Sequence, residues 1–119
     1  MNIEVNGKII QVKLFKNSSA EAVKELLKKG PLTLTMKDYA HMEKFGSLGM
    51  QLPRNDRLIT TKAGDVILSE GHLLVLYYGP NTWNFTKIGT VQNMTERQLR
   101  DTLGKEDIQA IITLDEEEK

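Results

Sequence analysis

The feature that most constrains the fold of this chain is a run of apolar side chains, Leu73-Leu74-Val75-Leu76-Tyr77-Tyr78. Turn-forming residues bound the run, with Glu70-Gly71 before it and Gly79-Pro80-Asn81 after it. A continuous apolar segment of this length between turns is typical of a strand that is buried on both faces. The sequence therefore predicts a central buried strand, followed at once by a polar loop that carries Trp83, the only tryptophan.

Alternating apolar and polar residues predict further strands on both sides of this one. Residues 3–5 and 10–14 alternate and flank Asn6-Gly7, a pair that favours the tight turn of a β-hairpin. The same alternation predicts strands at 32–36 and 108–114, and segments between turn signals predict strands at 66–68 and 85–91. Gly89 within one of these strands indicates a bulge or a close approach of two backbones.

Residues 38–57 have no clean period, and they predict short irregular strands and surface loops, with the best strand candidate at Leu48, Met50 and Leu52. At the other end of the chain, Asp115–Lys119 predicts a frayed, solvated tail.

Two short amphipathic helices interrupt the strands. The first is predicted to begin at a capping box, Ser18–Glu21, and to end at Gly30-Pro31. The second begins at the capping box Thr95–Gln98 and ends at Gly104. Each helix carries one apolar stripe, so each is expected to pack by one side only.

Size and charge limit the classes of function. A chain of 119 residues corresponds to a single domain, residues 1–119. Lys plus Arg and Asp plus Glu number 16 each, and the excess of five positive charges in residues 1–64 is matched by five negative charges in residues 65–119. This balance disfavours nucleic acid as a partner. No apolar run approaches the roughly 20 residues that span a bilayer, and no secretory leader is visible, so a cytoplasmic protein without a membrane partner is expected.

Many short strands separated by turns favour a mainly β fold. Closing the sheet removes exposed edges that would otherwise pair with other chains. We predict a closed or nearly closed barrel of about eight strands, with the two helices covering its open ends.

The order of elements and several segments together resemble the small bacterial cyclophilin-like domain family over nearly the whole chain. The segments that carry the resemblance are IEVNGKIIQVKLF, PLTLTMKDYAHMEKFGSLGMQLP, AGDVILSEGHLLVLYYGP and TKIGTV. The resemblance implies a cyclophilin-like barrel.

True cyclophilins are prolyl isomerases, and the resemblance does not carry their catalytic motif. Their groove presents an arginine soon after the first helix and a Gly-Ser-Gln-Phe-Phe run. The comparable stretch here, Tyr39–Phe45, has no arginine, and the Gly-Ser-Gln-Phe-Phe run is absent. Lys44 is expected to offer only a mobile point charge, whereas arginine supplies a fixed fork of donors. A binding module without catalytic residues is therefore the first prediction, and a residual peptidyl-prolyl isomerase is the alternative.

Trp83 and its neighbours have the composition of a ligand-facing rim, because aromatic surfaces there alternate with hydrogen-bonding side chains. An interpretation that the sequence supports equally is that Trp83 is a lid residue folded over the end of the barrel. In the cyclophilin-like topology, the Tyr78–Phe85 loop approaches the Tyr39–Phe45 segment. The predicted groove for a small ligand or an extended peptide therefore includes Tyr39, Met42, Glu43, Lys44, Phe45, Tyr78, Trp83 and Phe85.

No cofactor or metal site is predicted. The chain has no cysteine, and its two histidines, His41 and His72, fall short of a ligand set. Gly46–Gly49 lacks the spacing of a nucleophile elbow. A protein partner stays open as a third possibility, because other cyclophilin-like domains form part of amidohydrolase assemblies or of their regulators.

Overall fold

The computed structural model describes residues 1–118, which form nine strands and two α-helices. In chain order the elements are β1 (Asn2–Val5), β2 (Lys8–Leu14), α1 (Ser18–Lys28), β3 (Leu32–Tyr39), β4 (Glu43–Ser47), β5 (Arg57–Thr60), β6 (Asp65–Ser69), β7 (Leu73–Tyr77), β8 (Thr82–Val91), α2 (Glu96–Leu103) and β9 (Ile108–Thr113). A short 3₁₀ turn, Glu116–Glu118, follows β9.

Eight of the strands close into an antiparallel barrel. Their order around the barrel is β2-β1-β9-β3-β4-β7-β6-β8, and the pairing of β2 with β8 closes the ring. The ninth strand, β5, pairs only with the first part of β8 and forms a two-stranded arm with it. The prediction of a mainly β barrel of about eight strands is confirmed.

The barrel interior holds the main core, to which both helices contribute their apolar side. Val23 and Leu27 of α1 and Leu99 and Leu103 of α2 are buried in the same cluster as the inward-facing strand residues. The predicted capping box of α2 is present, because Thr95 and Gln98 exchange side-chain and backbone hydrogen bonds. The two predicted helices are therefore confirmed.

The cap of α1 differs from the prediction by one residue. Asn17, not Ser18, has the extended backbone of an N-cap, and its side-chain oxygen accepts a hydrogen bond of 2.8 Å from the Ala20 amide. Glu21 therefore lies one position too far along the helix to complete a capping box with the true cap. Ser18 becomes the first helical residue.

The segment 38–57 is more regular than its sequence indicates. β3 continues to Tyr39, a tight turn follows, and β4 returns from Glu43. The turn residues Ala40 and His41 have φ of 52° and 53°, a conformation that side chains other than glycine adopt rarely. The predicted strand piece at residues 48–52 is wrong, since that segment lies outside the strands.

The prediction for the chain end is also wrong over its described part. Asp115 accepts a hydrogen bond from the Asn2 side chain and Glu118 accepts one from the Met1 ammonium group, so both ends of this turn are bound to the start of the chain. Lys119 lies outside the described residues. Among the helices of residues 1–118, none is long and apolar enough to cross a membrane.

Candidate functional site

The strand β7 is buried on both faces, as its continuous apolar run predicts. Leu74 and Leu76 point into the main core, while Val75 and Tyr77 belong to a second apolar cluster on the opposite face of the sheet. We call that opposite face the outer face. The apolar side chains of this second cluster need neighbouring residues that shield them from water. The outer face is therefore the candidate location of a binding site.

The strand register arranges a row of side chains across the outer face. Neighbouring strands pair Tyr39 with Glu43, Glu43 with Tyr77, and Phe45 with Val75. Because paired residues in antiparallel strands point to the same side, all of these side chains share the outer face. The row continues from Val75 through Ile67 of β6 to β8.

Trp83 lies on a strand and not on the predicted loop. β8 begins at Thr82, and the register of the two-stranded arm places Trp83 opposite Ile59 and Phe85 opposite Arg57. Trp83 keeps 64% of its surface exposed, whereas Phe85 is buried against Tyr77 with ring centroids 5.6 Å apart. The interpretation of Trp83 as a buried lid is therefore wrong.

The arm and the barrel wall border a cavity of about 380 Å³ that is open to solvent, which we call the aromatic cavity. Five of the seven aromatic residues of the chain line it. Its lining consists of Tyr39, Glu43, Phe45, Ser69, Glu70, Leu73, Val75, Tyr77, Asn81, Trp83 and Phe85. Residues of both predicted groove segments, Tyr39–Phe45 and Tyr78–Phe85, line this cavity.

Three polar groups form a chain along the cavity wall. The Asn81 side-chain amide donates to the Tyr77 hydroxyl over 3.2 Å, and that hydroxyl donates to the Glu43 carboxylate over 3.1 Å. Tyr77 and Asn81 are among the neighbours of Trp83 that give the predicted rim its composition, but neither is one of the eight predicted groove residues. The position of Tyr77 follows only from the β4–β7 register, which places it opposite Glu43.

A second cavity, of about 450 Å³, shares Phe85 with the first, and we call it the basic cavity. It is lined by Phe15, Lys16, Asn17, Asn55, Arg57, Ile59, Phe85 and Lys87. Lys87 already lies 2.9 Å from the Asp65 carboxylate, whereas Lys16 and Arg57 have no ion-pair partner among residues 1–118. No prediction from the sequence covers this cavity, because its lining comes from three segments that are far apart in the chain.

Metal binding has no support in the part of the chain that the structure describes, since no group of three or more His, Asp or Glu side chains there could hold an ion. His41 lies on the exposed turn, 3.3 Å from Asp38.

The cyclophilin-like family model matches residues 3–114. The chain belongs to the cyclophilin-like family. The comparison with curated proteins gives no match. Among solved structures, the chain is similar to a hypothetical protein of Archaeoglobus fulgidus determined in solution, with a TM-score of 0.71 and 12% identity over 94% of this chain and 91% of that one. At this identity the likeness shows the fold alone.

Three residues predicted for the groove lie elsewhere in this cyclophilin-like chain. Lys44 follows Glu43 on β4 and so points to the opposite side, where it is fully buried and lies 2.9 Å from Asp38. Tyr78 also donates to Asp38, and Met42 lies in the turn beneath Gly79. The expectation that Lys44 is a mobile charge is wrong, because the Asp38 carboxylate and the Glu106 carbonyl fix its ammonium group.

The carboxyl groups on the two sides of this wall have opposite pKa shifts. Burial raises the pKa of Glu43, against the opposing effect of the Tyr77 hydrogen bond, and the nearby Asp38 charge adds to the increase. Burial also tends to raise the pKa of Asp38, but hydrogen bonds from Tyr78 and Lys44, together with the Lys44 charge, hold it below its ordinary value. The Asp38 carboxyl therefore loses its proton more readily than an exposed aspartate, and the Glu43 carboxyl loses its proton less readily than an exposed glutamate.

These shifts predict the effect of Glu43→Gln on the pH dependence of stability. A carboxyl group with a raised pKa stabilises the fold most below its ordinary pKa of 4.5, and this contribution is lost as the pH rises through the folded value. The wild type should therefore lose melting temperature relative to Glu43→Gln between pH 4 and pH 8. Thermal unfolding of both proteins across that range checks it. A constant difference would show that Glu43 ionises in the folded protein as it does in the unfolded chain.

Proposed function

We propose that this cyclophilin-like protein is a binding module that holds a small ligand or an extended peptide in the aromatic cavity and does not turn it over. The observation that carries the proposal is the composition of the cavity, in which five aromatic rings surround a short chain of hydrogen-bonding groups. A volume of about 380 Å³ lies within the range of small-molecule sites, which are mostly apolar with a few placed polar groups.

The position of Lys44 supports binding without turnover. Prolyl isomerisation needs a donor aimed at the prolyl amide inside a preformed pocket. Lys44 was the residue that the sequence offered for that role, and its ammonium group lies on the other side of the sheet, engaged by Asp38 and Glu106. The described lining of the aromatic cavity has no Lys, Arg or His to replace it.

Trp83→Ala tests the site, with Leu58→Ala as the matched control. Both side chains are exposed on the same two-stranded arm, but Leu58 pairs with Asn84 and so points to the face of the arm away from the cavity. In titrations with peptide and metabolite pools, followed by amide chemical shifts, we expect saturable shifts at the cavity residues of the wild type. Trp83→Ala should weaken binding by about tenfold, which corresponds to about 1.4 kcal/mol, and Leu58→Ala should leave it unchanged.

Two results would contradict the proposal. Equal loss of binding in both variants would mean that the ligand contacts the arm outside the cavity. Turnover of a proline-containing peptide that disappears in Trp83→Ala would make the protein a residual isomerase, since a bystander binding site would not affect that rate. Action in the cytoplasm, on ligands other than nucleic acid, stays a prediction from the charge balance and the sequence.

A further inference from the structure

The aromatic cavity has a one-sided charge. Two carboxylates line it, Glu43 and Glu70, and none of its described lining residues is basic. The basic cavity beyond Phe85 has the reverse composition, with three basic side chains and no acidic one. The two halves of this surface therefore favour ligand groups of opposite charge, and the aromatic half favours a positive one.

Glu43 is the buried charged residue that lacks a counterion in the described chain. Three charged residues are classed as buried, and of these Lys44 lies 2.9 Å from Asp38, and Asp65 lies 2.9 Å from Lys87. The described contacts of the Glu43 carboxylate are limited to the Tyr77 hydroxyl, which engages one of its two oxygens. Buried carboxylates are normally paired, because an isolated one is costly to desolvate.

The aromatic side chains around Glu43 are suited to binding a positively charged group that would pair with it. Tyr39 and Trp83 line the cavity and keep 57% and 64% of their surfaces exposed, so much of each side chain is accessible to a ligand. Aromatic faces attract ammonium and guanidinium groups, and Trp does so most strongly. A carboxylate behind such faces adds a charge-assisted hydrogen bond.

We propose that the ligand of the aromatic cavity is an organic cation, a protonated amine or guanidinium on an apolar stem, whose charged group pairs with Glu43. The inference rests on the proposed binding function and names the chemistry that this function recognises. The stem packs on Phe45 and Phe85, and the positive group completes the ion pair that residues 1–118 leave open. Two sources share this chemistry, a free amine and a lysine side chain within a peptide.

The test compares probes of nearly equal shape and different charge. The probes are a blocked tripeptide with a central lysine, the same tripeptide with norleucine at that position, and butylammonium, each titrated against ¹⁵N-labelled protein with the Trp83 indole N–H as reporter. For the wild type we expect the lysine peptide to bind at least about fivefold tighter than the norleucine peptide, from cation–π attraction and the carboxylate together. If butylammonium shifts the same signals, a free amine is sufficient for binding. If it does not, the bound cation is a lysine side chain within a peptide.

Glu43→Gln and its control variant test whether Glu43 is responsible for the preference for lysine over norleucine. Glutamine keeps the size of the side chain and removes its charge, so the preference for lysine over norleucine should fall to about twofold or less while the norleucine peptide still binds. Glu4→Gln removes an exposed charge outside the cavity and should keep the preference. The amide spectra of both variants establish that they are folded.

The outcomes separate this inference from the function on which it rests. Equal wild-type binding of the lysine and norleucine peptides at the cavity residues would overturn the cation inference and leave the binding function standing. A lysine preference that persists in Glu43→Gln would also overturn it, because another group would then provide the charge recognition. No binding of any probe or pool component at these residues would defeat both.

Discussion

Replacing Lys44 with alanine is expected to lower the free energy of unfolding by about 3 kcal/mol, the scale observed when one partner of a buried ion pair is removed. The Lys44 side chain is fully buried, and Asp38 keeps only 11% of its side-chain surface. Removing the ammonium group leaves that carboxylate without its cation and the Glu106 carbonyl without its donor. Urea denaturation measures the change, with both proteins fitted to one shared slope of unfolding free energy against urea concentration.

Lys28→Ala is the matched control for this prediction. Lys28 also lies 2.8 Å from a carboxylate, that of Glu25, but both side chains are largely exposed. Exposed pairs contribute about 0–1 kcal/mol, so this substitution should have little effect. Similar losses in the two variants would show that burial of the Lys44–Asp38 pair does not matter, and a loss of less than about 1 kcal/mol for Lys44→Ala would contradict the structural role assigned here.

The barrel could be predicted because local patterns and the closed sheet agree. The Asn6-Gly7 turn has positive φ at both residues, as the hairpin prediction requires. The apolar run of β7 is buried on both faces because the main core lies on one side and the second cluster lies on the other. In these elements each residue's neighbours along the chain determine its environment, so a single sequence suffices.

The site was less predictable because it depends on pairings between distant segments. Nothing in Ala40-His41 marks a tight turn, so the β3–β4 hairpin was missed, and with it the alternation that puts Glu43 and Lys44 on opposite faces. Trp83 was assigned to a loop because its strand partner, β5, has no clear pattern in the sequence. Residues of both predicted segments line one cavity, but only the strand register distinguishes the residues that face it from those that point into the core.

Gly89 is where a sequence signal and a long-range contact coincide. A glycine at this position predicts a bulge or a close approach of two backbones, and both occur. The register between β6 and β8 shifts at Val66/Ile67, and a Cβ atom on Gly89 would lie 2.6 Å from the Lys13 carbonyl oxygen and 2.8 Å from Val12. Lys13 and Val12 belong to β2, and the β2–β8 pairing closes the barrel.

Gly89→Ala is therefore expected to destabilise the protein by about 2 kcal/mol. Overpacking costs about 1–3 kcal/mol, and here the upper end applies because the nearest atom belongs to the backbone and cannot rotate away. Alanine recovers about 0.5–1 kcal/mol of the conformational entropy that glycine loses on folding. Thr90→Ala, at the next and half-exposed position of β8, removes atoms without a clash and should cost less than about 1 kcal/mol.

Hydrogen exchange locates the effect. If Gly89 permits barrel closure, the amides of Phe15 and Gln92, which donate to the Ile88 and Gln11 carbonyls between β2 and β8, should lose protection in Gly89→Ala before those of the β6–β7 hairpin do. Uniform loss of protection would point to general destabilisation instead. A Gly89→Ala protein as stable as the wild type would mean that β2 can move away from β8 without cost, and that closure of this barrel does not depend on the absent side chain.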